Sequence, residues 1–387
     1  MKTNYALIFG TLAALALPVF AKQDPGPSDP KPSDPTADHN KVQIAILLDT
    51  SSSMDGLIDQ AKSQLWKVVN TFTEAKRDGK APFVEVALYE YGNSGLNIGN
   101  QYIRLVEPLG RDLDELSREL FLLKTNGGEE YCGAVIQRAL SDLNWDLSRQ
   151  TYKAIFIAGN EPFTQGSVDA RQACKDALSK GVVVNTIHCG NRQAGISGSW
   201  HDGAALAEGK FLVIDQDRKI ASVPAPQDKE ISDLGIELNK TYIGYGEKRE
   251  EAKMKQTAAD SDAAAQAPAG ANVERAISKA SKNYDNRGWD LVDAMRENEV
   301  DPAKLPAEEL PENMRTMKPE ERTAFIEEAA KQRAAIQKRI ADLSAEREAF
   351  IAKERAKQAK AGGKTLDEAM VETTREQASK VGYVFGN

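Results

Sequence analysis

From Lys41 onward the chain alternates short apolar runs with segments whose apolar residues recur at helical spacing. Residues 42–48 (VQIAILL) are almost wholly apolar and rich in branched side chains, as a strand buried on both faces requires. Helical spacing follows through Leu57, Ala61, Leu65, Val68 and Val69. The pattern then predicts a strand over 84–89, helices over 113–123 and 134–143, and a strand over 153–158. Ser167 is the expected N-cap of a helix over 168–180, which Gly181 ends as a left-handed stop. Further strands are expected at 182–188 and 211–214. Such alternation predicts an α/β fold, a doubly wound and mostly parallel sheet covered by helices on both faces. Ligands of these sheets gather at the carboxyl ends of the strands.

The last third reads differently. Residues 246–272 are polar and Ala-rich, with Pro268 and Gly270 inside AAAQAPAGAN, and are expected to be a linker. A charged α-helical C-terminal region follows over 273–387, with short helices expected near Ala276 and Ile277 and over 289–292. Pro302, Pro306, Pro311 and Pro319 punctuate the chain before a long helix that runs to about residue 359. Its acids Glu320 and Glu321 oppose the helix dipole, and Ile326, Ala329, Ile336, Ile340, Leu343 and Phe350 form an apolar stripe. Arg333 and Arg347 interrupt that stripe, which makes it a poor dimer seam and suits it to another helix or a partner. Gly362 and Gly363 end the helix, and residues 365–379 are expected to form a last one.

The N-terminal residues change the picture of compartment. Lys2, an apolar run to Phe20 and small residues before Gln23 have the form of a signal peptide over 1–21, cleaved after Ala21. A Pro/Ser/Asp-rich spacer over 22–40 separates it from the globular domain over 41–245. The expected location is therefore periplasmic or secreted, with no integral membrane segment after signal removal. Mean hydropathy of −0.49 with 28% charged residues excludes a polytopic membrane protein. The 387 residues carry 50 Lys+Arg against 58 Asp+Glu, a net charge of −8, which argues against nucleic acid held by bulk positive charge. In an oxidising compartment two of Cys132, Cys174 and Cys189 are free to pair, and nothing in the sequence chooses the two.

The sharpest chemical signal is the loop after the first strand, Asp49-Thr50-Ser51-Ser52-Ser53-Met54. A carboxylate and two hydroxyls at alternate positions past a buried strand converge hard oxygen ligands on one point, which suits Mg²⁺ or Mn²⁺. A Ser-rich turn is also ordinary helix-capping sequence. Asp-x-Ser-x-Ser at this place resembles the metal-ion-dependent adhesion site of von Willebrand factor A domains. The resemblance covers about residues 41–245 and includes Thr125-Asn126-Gly127-Gly128-Glu129, Trp200-His201-Asp202-Gly203-Ala204 and Gly209-Lys210-Phe211.

That resemblance implies a divalent metal, Mg²⁺ or else Mn²⁺ or Ca²⁺, held by Asp49, Ser51, Ser53 and Thr125. The family's usual Thr-Asp-Gly after the fourth strand is absent: Gly159 falls where the Asp is expected, leaving Asn160 or Glu161 to supply an oxygen. It further implies a binding module whose protein partner offers an acidic residue to complete the metal shell. Glu129, Glu130 and Glu161 read either as a solvated acidic rim or as groups that tune the metal or the partner. His188 and His201 lack the ligand spacing of a zinc site. The chain carries no nucleophile elbow, phosphate-cradling loop or clustered acid–base pair, so an enzyme is not expected. The alternative is a structural or assembly protein with a vestigial metal site and self-association through the helical tail.

Overall fold

The computed structural model describes residues 40–72, 75–214, 223–266, 270–358 and 366–385; the expected signal peptide and nearly all of the spacer lie outside them. Strands β1 (Lys41–Asp49), β2 (Phe83–Tyr91), β3 (Ile103–Gly110), β4 (Tyr152–Gly159), β5 (Val183–Cys189) and β6 (Phe211–Ile214) build a six-stranded sheet in the order β3-β2-β1-β4-β5-β6. All neighbours run parallel except β2 and β3, which are antiparallel. The central strands β1 and β4 are apolar on both faces because helices cover both.

One face packs against α1 (Asp55–Asn70) and α2 (Leu113–Leu122), where Val42, Ile44 and Leu48 meet Leu57, Trp66, Val69, Leu113 and Leu116. On the opposite face Ala45, Leu47, Ile155 and Ile157 meet α3 (Cys132–Asp142), α4 (Ala170–Ser179) and α6 (Trp200–Leu206), which follows the short α5 (Arg192–Ser197). The alternation along β1 is the two-residue period of a pleated strand. The sheet is thus doubly wound, as the alternating pattern predicts. Asp169, not Ser167, caps α4: its carboxylate accepts the backbone N–H groups of Arg171 (2.9 Å) and Gln172 (3.2 Å). Gly181 takes the left-handed conformation expected of it (φ +69°). Cys132, Cys174 and Cys189 are buried, unpaired thiols.

The C-terminal region is α7 (Asp228–Asn239), α8 (Arg249–Ala265), α9 (Ala271–Ala280), α10 (Leu291–Arg296), α11 (Pro319–Gln358) and α12 (Leu366–Lys380). Where composition predicts a linker over 246–272, the structure places α8. Ala, Glu, Lys and Gln are strong helix formers, and the helix buries Gln256, Ala259 and Ala263 against its neighbours α2 and α9. On α11, Ile340 and Leu343 pack with Ile231 and Val273, while Ile326 packs with Leu291 and Met314.

The two arginines that interrupt the α11 stripe are buried clamps. Arg333 pairs with Asp290 (2.6 Å) and Asp293 (3.0 Å) and lies over the Tyr242 ring. Arg347 pairs with Asp228 (2.7 Å) and Glu274 (2.8 Å). The chain from His39 to Asn387 forms one compact unit. No helix among the described residues is long and apolar enough to cross a membrane.

Candidate functional site

In the observed strand order, the chain moves outward to β2 and β3 on one side of β1 and to β4, β5 and β6 on the other. The carboxyl ends of β1 and β4 therefore flank the crevice where the connections part, the usual ligand position in such sheets. Asp49 is the last residue of β1 and is fully buried; Gly159 is the last of β4. The loops that follow β1, β2 and β4, with the loop leading into α3, converge here.

Backbone bonds tie these loops together. Thr50 donates its N–H to the Tyr91 carbonyl (2.8 Å), Asn126 to Thr50 (2.9 Å) and Ser94 to Gly127 (2.6 Å). Gly128 is obligatory for that approach, since a Cβ there would stand 2.3 Å from the Gly92 carbonyl oxygen.

Asp49 Oδ1 accepts the Ser51 N–H at 2.7 Å, whereas its Oδ2 is buried with no hydrogen-bond partner. The Ser51 and Ser53 hydroxyls lie 3.2 Å apart, and Asn160 donates its Nδ2 to Ser53 Oγ at 3.0 Å. Asn160 Oδ1 is a second buried oxygen without a donor. Asp49, Ser51, Ser53 and Asn160 thus form one linked set of oxygens. Of the remaining expected ligands, Thr125 turns its hydroxyl to Asp55 in the first turn of α1, and Glu161 sits exposed at the rim. The Glu161 carbonyl accepts the Trp200 indole N–H at 2.8 Å.

The glycine at the end of β4 has a steric reason. A Cβ on Gly159 would stand 2.6 Å from the Tyr91 hydroxyl, 3.1 Å from the Trp200 ring and 3.3 Å from Asp49 Oδ2. The Tyr91 hydroxyl is held there by donating to the Ala158 carbonyl at 2.9 Å. No side chain fits at position 159 without displacing these groups.

Glu130 is the residue that the sequence leaves as part of an acidic rim and that the fold buries. It is 3% exposed, beside Asp49, and its Oε2 accepts the Glu161 N–H at 3.3 Å. Burial, reinforced by Glu130, pushes the Asp49 carboxyl up to about 9. Burial likewise raises the Glu130 carboxyl above its ordinary range. The available signal was Gly127-Gly128 directly before two acids and an apolar helix, a backbone able to press inward.

His188 is buried with its ring tilted against Trp200 (5.7 Å between ring centres), while His201 is exposed beside Asp202. Burial lowers the His188 pKa. Among the described residues no group of three or more His, Cys, Asp or Glu is arranged to hold a metal, so the set around Asp49 depends on hydroxyl and amide oxygens as well.

No family model and no curated protein matches the chain. Several solved structures are similar in part. BatB from Bacteroides thetaiotaomicron is 16% identical with a TM-score of 0.34, covering 45% of this chain and 90% of that one. The SpRpn10 VWA domain is 16% identical with a TM-score of 0.35, covering 46% and 89%. Proximal thread matrix protein 1 from the mussel byssus, with a zinc-occupied MIDAS motif, is 14% identical with a TM-score of 0.36. That match covers 46% of this chain and 43% of the mussel protein; in another crystal form of it, the chain spans 41% of its length.

Proposed function

We propose that this chain is a divalent-cation-dependent protein-binding module of the cell envelope, periplasmic or secreted, and not an enzyme. The observation that carries the proposal is the fully buried Asp49 carboxylate, whose Oδ2 has no donor although it lies at the ligand end of the sheet. A buried carboxylate oxygen left without a partner is costly, and a cation removes that cost.

The residues present fit a hard cation. Asp49, Ser51, Ser53 and Asn160 offer a carboxylate, two hydroxyls and an amide oxygen, the donor set of Mg²⁺ or Mn²⁺ or, with more ligands, Ca²⁺. Thr125 and Glu161 stand on the two flanking loops, from which a change of rotamer or a bridging water brings an oxygen to the same point. The bound cation supplies a positive charge with a position open to an acidic residue of a protein partner. Asp49 anchors it, the two serines orient it, and the glycines at 92, 128 and 159 keep the approach narrow.

The test is capture of partners from envelope extract by the immobilised chain. The expected result is a protein retained in Mg²⁺ or Mn²⁺ and released by EDTA, with Asp49→Ala retaining none of it. Equal retention by wild type and Asp49→Ala, insensitive to EDTA, refutes the proposal.

A further inference from the structure

We infer that Glu130 is the second carboxylate ligand of the cation site, taking from the loop before α3 the role that position 159 at the end of β4 is sterically barred from filling. The inference rests on the cation-binding reading above and adds a residue to it.

Four observations place Glu130 there. Asp49 and Glu130 are 0% and 3% exposed and stand side by side against Gly92. Gly92 forms a wall common to both, since a Cβ on it would stand 2.7 Å from Asp49 Oδ1 and 2.9 Å from Glu130 Cγ. Glu130 is anchored at its backbone, where its N–H donates to Gln165 Oε1 at 2.9 Å, and at its carboxylate by the Glu161 N–H. No Lys, Arg or His among the described residues is paired with either acid.

Two buried carboxyl groups side by side without a cationic side chain are neutralised either by holding protons or by a cation that displaces them. Asp49 Oδ2, buried and without a donor, faces the end of β4, 3.3 Å from where a Cβ on Gly159 would stand. Gly159 has no side chain to offer, and the space one would need there is already taken by Tyr91 and Trp200. A divalent cation between Asp49 and Glu130 makes the buried set electrically neutral. Glutamate suits the place because the loop before α3 must reach across Gly92 to the end of β1, which a longer side chain spans.

The discriminating measurement is calorimetric titration of Mn²⁺ into the full chain, beside melting in EDTA, for wild type, Glu130→Gln and Glu130→Asp. The expected result is Mn²⁺ affinity reduced by at least about tenfold in Glu130→Gln, as loss of one charged ligand implies, with a melting temperature in EDTA equal to or above that of wild type. A purely structural Glu130 predicts the reverse, a lower melting temperature with Mn²⁺ affinity unchanged, and that outcome overturns the inference while leaving the cation site intact. Glu130→Asp keeps the charge and is expected to bind Mn²⁺ more tightly than Glu130→Gln; equal affinities also overturn it. A wild type that fails to take up Mn²⁺ overturns both this inference and the reading beneath it.

Discussion

Asp49 ends a strand buried on both faces, and its environment dictates how the site responds to pH. Its folded-state carboxyl is raised from 3.8 to about 9, so the folded chain keeps a proton that the unfolded chain releases. Between those values the unfolded state binds fewer protons, and metal-free stability falls as pH rises. Cation binding must expel the same proton, so it strengthens over the same range. The expected result is a melting temperature in EDTA that declines by a few degrees between about pH 5 and about pH 8, with a shallower decline in Asp49→Asn. Identical slopes for the two proteins contradict this account. The local part of the site was legible in the sequence because Asp49, Ser51 and Ser53 share one turn, and their spacing alone aims the oxygens together. Glu130 was not, because burial of an acid is a tertiary property. The same Gly-Gly-Glu-Glu string exposed on a loop has identical local chemistry. Thr125 shows the converse, since its position was legible but its hydroxyl is engaged by Asp55.

The elements divide along the same line. β1, β4 and β5 are central and parallel, so their continuous apolar runs identify them. β3 escaped the pattern because it is an antiparallel edge strand, mostly half-exposed, with Pro108 inside it and a disrupted register to β2. α8 escaped because small Ala contacts bury it, leaving no wide apolar stripe to detect. In α11 the charged interruptions carry more meaning than the stripe. Arg333 is 2% exposed and holds Asp290 and Asp293, while also donating to the Thr241 carbonyl at 2.6 Å. Removing it leaves the buried Asp290 without its counter-charge, while Asp293 keeps Arg296 at 3.0 Å, so Arg333→Met is expected to cost about 3–5 kcal/mol in urea denaturation. Adding Asp290→Asn and Asp293→Asn is expected to recover part of that loss. A cost for Arg333→Met below about 1 kcal/mol would show the cluster to be dispensable.

At the scale of the whole molecule, the helical region closes the sheet. Gln377 of α12 exchanges hydrogen bonds with Asn185 on β5 and accepts from the Tyr152 hydroxyl on β4 at 2.8 Å. Tyr383 donates to the Lys41 carbonyl at 3.1 Å, where β1 begins, and Lys76 and Val384 exchange backbone bonds at 2.8 Å. Arg275 of α9 pairs with Asp114 of α2 and covers the Trp66 ring of α1 at 4.5 Å. These contacts join distant sequence segments, and the division at 245 that composition suggests corresponds to no separate unit among His39–Asn387. The sheet was legible because its strands are locally apolar; the docking was not, because polar side chains such as Gln377 and Arg275 make it. One compact unit reports cation binding at Asp49 as a shift of its whole unfolding transition. A ligand at about 100 times its dissociation constant adds about 2.7 kcal/mol to stability, a shift of several degrees in a domain of this size. The most direct measurement is therefore thermal unfolding of the wild-type chain in EDTA and in millimolar Mg²⁺ or Mn²⁺, beside Asp49→Ala. A rise of several degrees is expected for wild type and none for the variant; superimposable wild-type curves in EDTA, Mg²⁺ and Mn²⁺ would contradict cation binding at Asp49.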